Sequence, residues 1–228
     1  PAALADYPAY LERLARSGGT PTYRRPRCVG PIAVKDLAPL QRDIAAMQAA
    51  MAAAGYTEGF LNSASPGVIA LFQPSDYHPT IEAYLADIAE GMRVEYEAIV
   101  AAGLILQIDA PDLGLGRHMM YADLSDEAFL RRAELHVEIL NHALRNVPAD
   151  RVRMHVCWGN YEAPHDSDVP FEAIWPVIRS WRRRRIDGRL QGLGRAEGDP
   201  RAVPAGVNDG CRLWHVGEFR AGQEERLS

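Results

Sequence analysis

Three short stretches of this chain hold side chains that could do chemistry together. In Val152-Arg153-Met154-His155-Val156-Cys157-Trp158, His155 and Cys157 stand two residues apart, and on a strand alternate side chains point to the same side. A neutral imidazole nitrogen and a thiolate sulfur are donor types that zinc prefers, so the pair could supply half of a tetrahedral site. Packing of both into a core is the competing reading. Asp109 closes an otherwise apolar run, Leu104-Ile105-Leu106-Gln107-Ile108-Asp109. A carboxylate there could hold a substrate ammonium group or fix a catalytic neighbour, or it could cap a helix or pair within a loop. Asn62, Ser63 and Ser65, with Gly67, could offer amide, hydroxyl and backbone donors to a carboxylate; Ser65-Pro66-Gly67 could equally be a turn. The other histidines weigh less. His136 and His142 lie six residues apart on one helix, off a common face, and read as partly buried structural groups. His165 sits in a polar loop, Glu162-Ala163-Pro164-His165-Asp166, that could form a site rim.

The elements that must position these residues are set by periodicity and punctuation. Asp36 to Gly55 reads as a helix, with Asp36 as cap, Leu40, Ile44, Met47 and Met51 at helical spacing, and Gly55 as stop. Cys28-Val29-Gly30-Pro31-Ile32 before it and Gly59 to Asn62 after it read as short buried strands. A second long helix is expected from about Thr80 to Gly103, followed by the strand that ends at Asp109. A third runs from Ser125 to about Val147, with Phe129, Ala133, His136, Val137 and Leu140 along one face. The strand holding His155 comes next, then a helix from Pro170. Repeated strand–helix units of this length imply parallel strands with helical crossovers, in an open sheet or a closed eightfold barrel. No Gly-x-Gly-x-x-Gly loop follows any strand, which counts against the dinucleotide-binding form. In a barrel, catalytic groups come from the C-terminal ends of several strands, and that is where Asn62, Ser63, Ser65, Asp109, His155 and Cys157 fall.

Composition narrows the partners. With 228 residues, 47% of them hydrophobic, the chain can bury one sizeable core, and a formal charge of −5 gives no electrostatic case for nucleic acid or an anionic membrane. No apolar run is long enough to span a bilayer, and charges interrupt the first residues, so a cytoplasmic protein acting on small molecules is expected. Cys28, Cys157 and Cys211 are too few and too scattered for a disulfide framework and read as reduced thiols. From Trp181 onward, with the unbroken run Arg182 to Arg185 and frequent glycine, no strand or helix period is evident. The expected division is therefore a barrel domain over 1–180 and an Arg/Gly-rich tail over 181–228.

Two phrases, Leu106-Gln107-Ile108-Asp109-Ala110-Pro111-Asp112 and Met154-His155-Val156-Cys157-Trp158-Gly159-Asn160-Tyr161-Glu162, together resemble the cobalamin-independent methionine synthase family. The likeness is closer to its shorter single-barrel members, which include epoxyalkane:coenzyme M transferase-like proteins. Arg27-Cys28-Val29-Gly30-Pro31 and Asn62-Ser63-Ala64-Ser65-Pro66-Gly67 support it, and it covers roughly Tyr23 to Arg179. The resemblance implies an α/β fold, the (β/α)8 TIM barrel, in which zinc activates a small thiol such as homocysteine to attack an electrophilic carbon. It makes His155 and Cys157 zinc ligands, gives Asp109 the amine of the thiol substrate, and adds Asn62 and Ser65 as substrate-binding residues. The implied activity is transfer of a methyl group from a methyltetrahydrofolate in methionine biosynthesis. Epoxide opening by a thiol and an inactive remnant are the alternatives.

The chain departs from the family pattern at both ends. The glutamate that follows the His-x-Cys strand and the Thr-Asp-Cys-Gly-Phe-Gly stretch, which supplies a further cysteine ligand, are not found, nor is the opening strand with its glycine-rich loop. The barrel is accordingly expected to be incomplete, with its first strand missing and its C-terminal strands altered. Codons for Asp209-Gly210-Cys211-Arg212-Leu213-Trp214-His215 can be written so that a one-base shift reads Thr-Asp-Ala-Gly-Phe-Gly-Thr. The corresponding hypothesis is a region after about Trp181 read out of frame, and an intact frame on resequencing the gene would sink it.

Overall fold

Short apolar runs and longer amphipathic ones alternate along the chain, and they become strands and helices in the same order. The computed structural model describes residues 7–16, 26–159, 167–181 and 212–214. Its helices are α1 (Pro8–Arg16), α2 (Ala38–Ala54), α3 (Pro66–Phe72), α4 (Ile81–Ala101), α5 (Gly116–Met119), α6 (Asp126–Ala143) and α7 (Phe171–Arg179). Its strands are β1 (Phe60–Ala64), β2 (Ile105–Asp109), β3 (Val152–His155) and β4 (Arg212–Trp214). Side-chain caps start the two longest helices. Thr80 Oγ1 accepts from Ala83 N (3.2 Å) at α4, and Ser125 Oγ accepts from Ala128 N (3.2 Å) at α6, each satisfying a backbone donor that the helix itself leaves unpaired.

All four strands are parallel and lie in the order β1-β2-β3-β4. The register runs from Phe60↔Ile105 to Ala64↔Asp109 and from Leu106↔Val152 to Asp109↔His155. β4 continues it with Met154↔Leu213 and His155↔Trp214. Consecutive strands are thus neighbours throughout, without the reversal of strand order that marks a doubly wound sheet. Among the described residues the sheet is open, with β1 and β4 at its edges.

The helices that connect the strands form one packed layer. α4 lies against β1 and β2, α6 against α4, and α7 against α6. The strand face they cover is apolar: Leu106, Ile108, Met154 and Val156 are fully buried, and Val152 nearly so. These residues share one core with Tyr96 and Ile99 of α4, Phe129, Val137 and Leu140 of α6, and Ile174 and Ile178 of α7. Each such side chain contributes about 1.5–3 kcal/mol on leaving water, so this interface holds the sheet.

Three sequence expectations change. Cys28 to Ile32 is not a buried strand: Cys28 makes an isolated bridge to Ser75, and Val29 is 79% exposed. The run is too short to be covered, and its backbone pairs with a loop instead, through Cys28 N to Pro74 O (3.0 Å) and Asp76 N to Cys28 O (2.9 Å). Ser65-Pro66-Gly67 is no turn but the start of α3, with Ser65 Oγ accepting from Val68 N (3.0 Å) and proline in the first helical turn. β4 lies in the stretch where periodicity reveals no strand.

Candidate metal and substrate site

Partners in a parallel register present side chains to a common side, and alternate residues of one strand do the same. The face opposite the helix layer therefore carries Asn62, Gln107 and Arg153 in one row and Ala64, Asp109 and His155 in the next, nearer the C-terminal ends of the strands. Beyond Phe60 and Ile105 at its start this face is largely polar, where the other, Ser63 aside, is apolar.

The two rows are wired together. Arg153 is 6% exposed, and its guanidinium lies 3.6 Å from the centroid of the Phe60 ring, a cation–π contact. Its Nε donates to Gln107 Oε1 (2.9 Å), which turns the amide nitrogen of Gln107 toward Asp109. Gln107 Nε2 donates to Asp109 Oδ1 (2.9 Å), and Asn62 Nδ2 donates to Oδ2 (3.1 Å). Each carboxylate oxygen thus takes one neutral N–H and keeps a further acceptor site. Asp109 is oriented and still able to receive a cation.

β3 ends at His155, so Cys157 lies just past the strand rather than within it. The loop is fixed at Cys157 by Leu115 N, which donates to its carbonyl (3.0 Å). That approach requires glycine next door, because a Cβ on Gly114 would sit 2.6 Å from Cys157 O. Trp158 Nε1 donates to Val169 O (2.9 Å) and ties the same loop to the segment before α7. The thiol of Cys157 is pushed up from its ordinary value, first by burial and further by the Asp109 charge, against a backbone hydrogen bond from Gly159 that pulls it down. A bound metal cation is the kind of neighbour that reverses such a shift and holds a thiolate.

His155 and Cys157 provide the nitrogen and sulfur donors zinc favours. Among the described residues no group of three or more His, Cys, Asp or Glu side chains is arranged to hold a metal ion. Glu162, His165, Asp166 and Cys211 lie outside the described residues.

Ser65 belongs to a different cluster from Asn62 and Asp109. Its Oγ donates to Asp112 Oδ1 (2.6 Å), and Asp112 Oδ2 meets His136 Nδ1 at 2.9 Å; the three are 2%, 1% and 2% exposed. This buried chain joins the end of β1, the loop after β2 and α6. Ser63 faces the helix layer, where its Oγ donates to Glu95 Oε1 (2.5 Å). His142 is exposed rather than partly buried and lies 2.7 Å from Glu90 Oε1.

Gln107 and Arg153 escape a reading by sequence motif, although a signal exists: each stands two residues before a site residue, Asp109 or His155, within an apolar strand. A second buried pair, His118 Nδ1 with Asp168 Oδ1 at 2.8 Å, carries no motif either. It ties α5 to the loop between β3 and α7. Comparison with known proteins found no family model, no curated protein and no solved structure that matches the chain.

Proposed function

We propose that this chain transfers a methyl or alkyl group to a small thiol, with His155 and Cys157 as zinc ligands and Asp109 holding the ammonium group of the acceptor. The observation that carries the reading is the arrangement of Asn62, Asp109 and His155 on one face of three adjacent parallel strands, with Asp109 and His155 in register at the ends of theirs, Asn62 hydrogen-bonded to Asp109, and Cys157 two residues beyond His155. The (β/α)8 barrel is the fold this reading calls for. Its support is the consecutive strand order, the helix layer on one face, and a polar face opposite, where a doubly wound sheet would be apolar and covered by helices on both sides. Closure would also give the open parallel edges neighbours.

Zinc bound at this place would keep a coordinated thiol deprotonated at neutral pH. The chain's own residues do the rest. Asn62 and Gln107 orient the Asp109 carboxylate, Arg153 orients Gln107, and Asp109 binds the ammonium group of an aminothiol such as homocysteine by a charge-assisted hydrogen bond. Transfer is a displacement at carbon: a carbon–sulfur bond forms as the bond from that carbon to the donor nitrogen of a methyltetrahydrofolate breaks, and the nitrogen takes the proton given up by the thiol. Two protein donors stand among the described residues, and a third would come from outside them.

Elemental analysis of the purified chain tests the reading, beside His155→Ala and Cys157→Ala. Near-stoichiometric zinc that disappears in both variants is expected. Folded protein without zinc, or zinc that survives both substitutions, overturns it.

A further inference from the structure

A cavity of about 350 Å³ lies on the helical side of the molecule, walled by α3, the 74–81 loop, the start of α4, α6 and the residues after α5. None of Asn62, Asp109, His155 and Cys157 lines it, so a ligand bound here is independent of any zinc at the strand ends. Its volume is at the lower end of what small-molecule sites use. Leu71, Ile81, Tyr84, Met120 and Tyr121 make the wall largely apolar, and Arg132 of α6 enters it as a cation.

Most polar side chains of this wall are already engaged. Ser75 Oγ meets His78 Nδ1 (2.8 Å), His78 Nε2 meets Asp87 Oδ2 (3.0 Å), and Thr80 caps α4. Tyr84 donates its hydroxyl hydrogen to Gln73 O (2.5 Å). Asp112, whose charge reaches Tyr121 together with that of Arg132, has its oxygens taken by Ser65 and His136. Arg132 Nη1 is shielded from solvent and meets no hydrogen-bond partner among the described residues. Arg132 is half-buried, and a guanidinium nitrogen kept from water without a partner is costly; the side chain is built to grip a carboxylate with two parallel N–H groups. One guanidinium balances one negative charge, which suits a carboxylate and leaves a phosphate dianion in excess against apolar walls.

We propose that this cavity is a binding site for a small organic monocarboxylate, its apolar body against Leu71, Ile81 and Met120 and its carboxylate on Arg132. The full chain is titrated calorimetrically with benzoate as probe, with benzyl alcohol as neutral analogue and with inorganic phosphate, and its thermal midpoint is followed in parallel. Benzoate is expected to bind saturably and raise the midpoint, with benzyl alcohol weaker by about thirtyfold or more, since a buried charge pair is lost. Arg132→Met is expected to lose benzoate binding by a similar factor. Without ligand it should melt no lower than the parent, because it removes a shielded nitrogen that has no partner among the described residues. Met120→Trp keeps the cation and fills the cavity, and should abolish binding as well, which decides the matter if the arginine variant does not fold. Absence of saturable benzoate binding by the folded chain, or binding unchanged in either variant, overturns the proposal. Phosphate binding more tightly than benzoate overturns the carboxylate assignment.

Discussion

Replacing Gly67 by alanine sets two effects against each other. Gly67 is in the first turn of α3, where alanine is the better helix former by up to about 1 kcal/mol. The space for a methyl group is taken. A Cβ at this position would lie 2.6 Å from His136 Nδ1 and 2.8 Å from Asp112 Cγ, and nearer still to Oδ2. Ordinary carbon contacts are about 3.5–4.0 Å, so Asp112 Cγ must retreat by roughly 0.7–1.2 Å, and Oδ2 by more. It has nowhere to go, because Ser65 Oγ holds Oδ1 at 2.6 Å and the residue is 1% exposed. The 2.9 Å contact with His136 is the one that opens. Losing a buried hydrogen bond to a charged group costs about 1.5–3 kcal/mol and overpacking about 1–3. After the helix gain is subtracted, Gly67→Ala should destabilise by about 1.5–5 kcal/mol. Urea denaturation followed by circular dichroism measures this, with an unchanged m value expected because the surface exposed on unfolding is the same. In an Asp112→Ala background, where the obstructing carboxylate is gone and only the 2.6 Å approach to His136 Nδ1 remains, the same substitution should cost clearly less than in the parent. A Gly67→Ala protein within 1 kcal/mol of the parent, or more stable than it, would refute the claim that Ser65, Asp112 and His136 form a rigid buried chain.

Other parts of the molecule give three more expected outcomes. Thr80→Ala and Ser125→Ala each remove a cap and should each cost about 1 kcal/mol in urea denaturation; because the caps share no partner, the double variant should show the sum within about 0.5 kcal/mol. Asp109→Asn keeps the shape and loses the charge, so under the proposed function KM for homocysteine should rise about tenfold to a hundredfold, while KM for a thiol without an amine stays near that of the parent. Glu90 takes hydrogen bonds from Arg145, His142 and Arg93, the first the strongest, and its pKa falls from 4.5 to about 2. A depressed folded value means stability that is present above pH 4.5 and lost as the pH falls toward 2. The side chain is 46% exposed, so solvent screening holds the effect to about 1 kcal/mol or less. Glu90→Gln should be slightly less stable than the parent at pH 7 and lose less stability between pH 4.5 and 2, as read from midpoints in an acid series.

What the sequence discloses is local, and what it conceals is long-range. Thr80 and Ser125 announce α4 and α6 because a cap and a 3.6-residue period are properties of one segment. The strand at 105–109 is visible because a short apolar run ended by Asp-Ala-Pro has few other uses. Asn62 and Asp109 both stand out as polar residues closing apolar runs, and the structure, which puts Asn62 in the middle of β1 and Asp109 at the end of β2, brings them within hydrogen-bonding distance. The support of Asp109 by Gln107 and of Gln107 by Arg153 depends on the register between β2 and β3, which no single segment encodes. Ser65, Asp112 and His136 come from three elements and carry no spacing rule. Cys28 to Ile32 misleads because its apolar content resembles that of a strand, while coverage by neighbours, the thing that buries a strand, is not written in the run itself.

The division of the sheet into an apolar and a polar face has a consequence for how such a chain can change over time. Leu106, Ile108, Met154 and Val156 answer to the helices, whereas Asn62, Gln107, Asp109 and His155 answer to whatever occupies the opposite side. Because alternate residues serve different masters, a substitution that retunes recognition need not disturb the interior, and one that repacks the interior need not disturb recognition. Most such pairs of changes should combine additively. Arg153 is the exception, since it is almost fully buried and also orients Gln107. Under the proposed function, heritable variation in specificity is therefore open at Asn62 and closed at Arg153, where a single replacement would be judged on stability and on recognition at once.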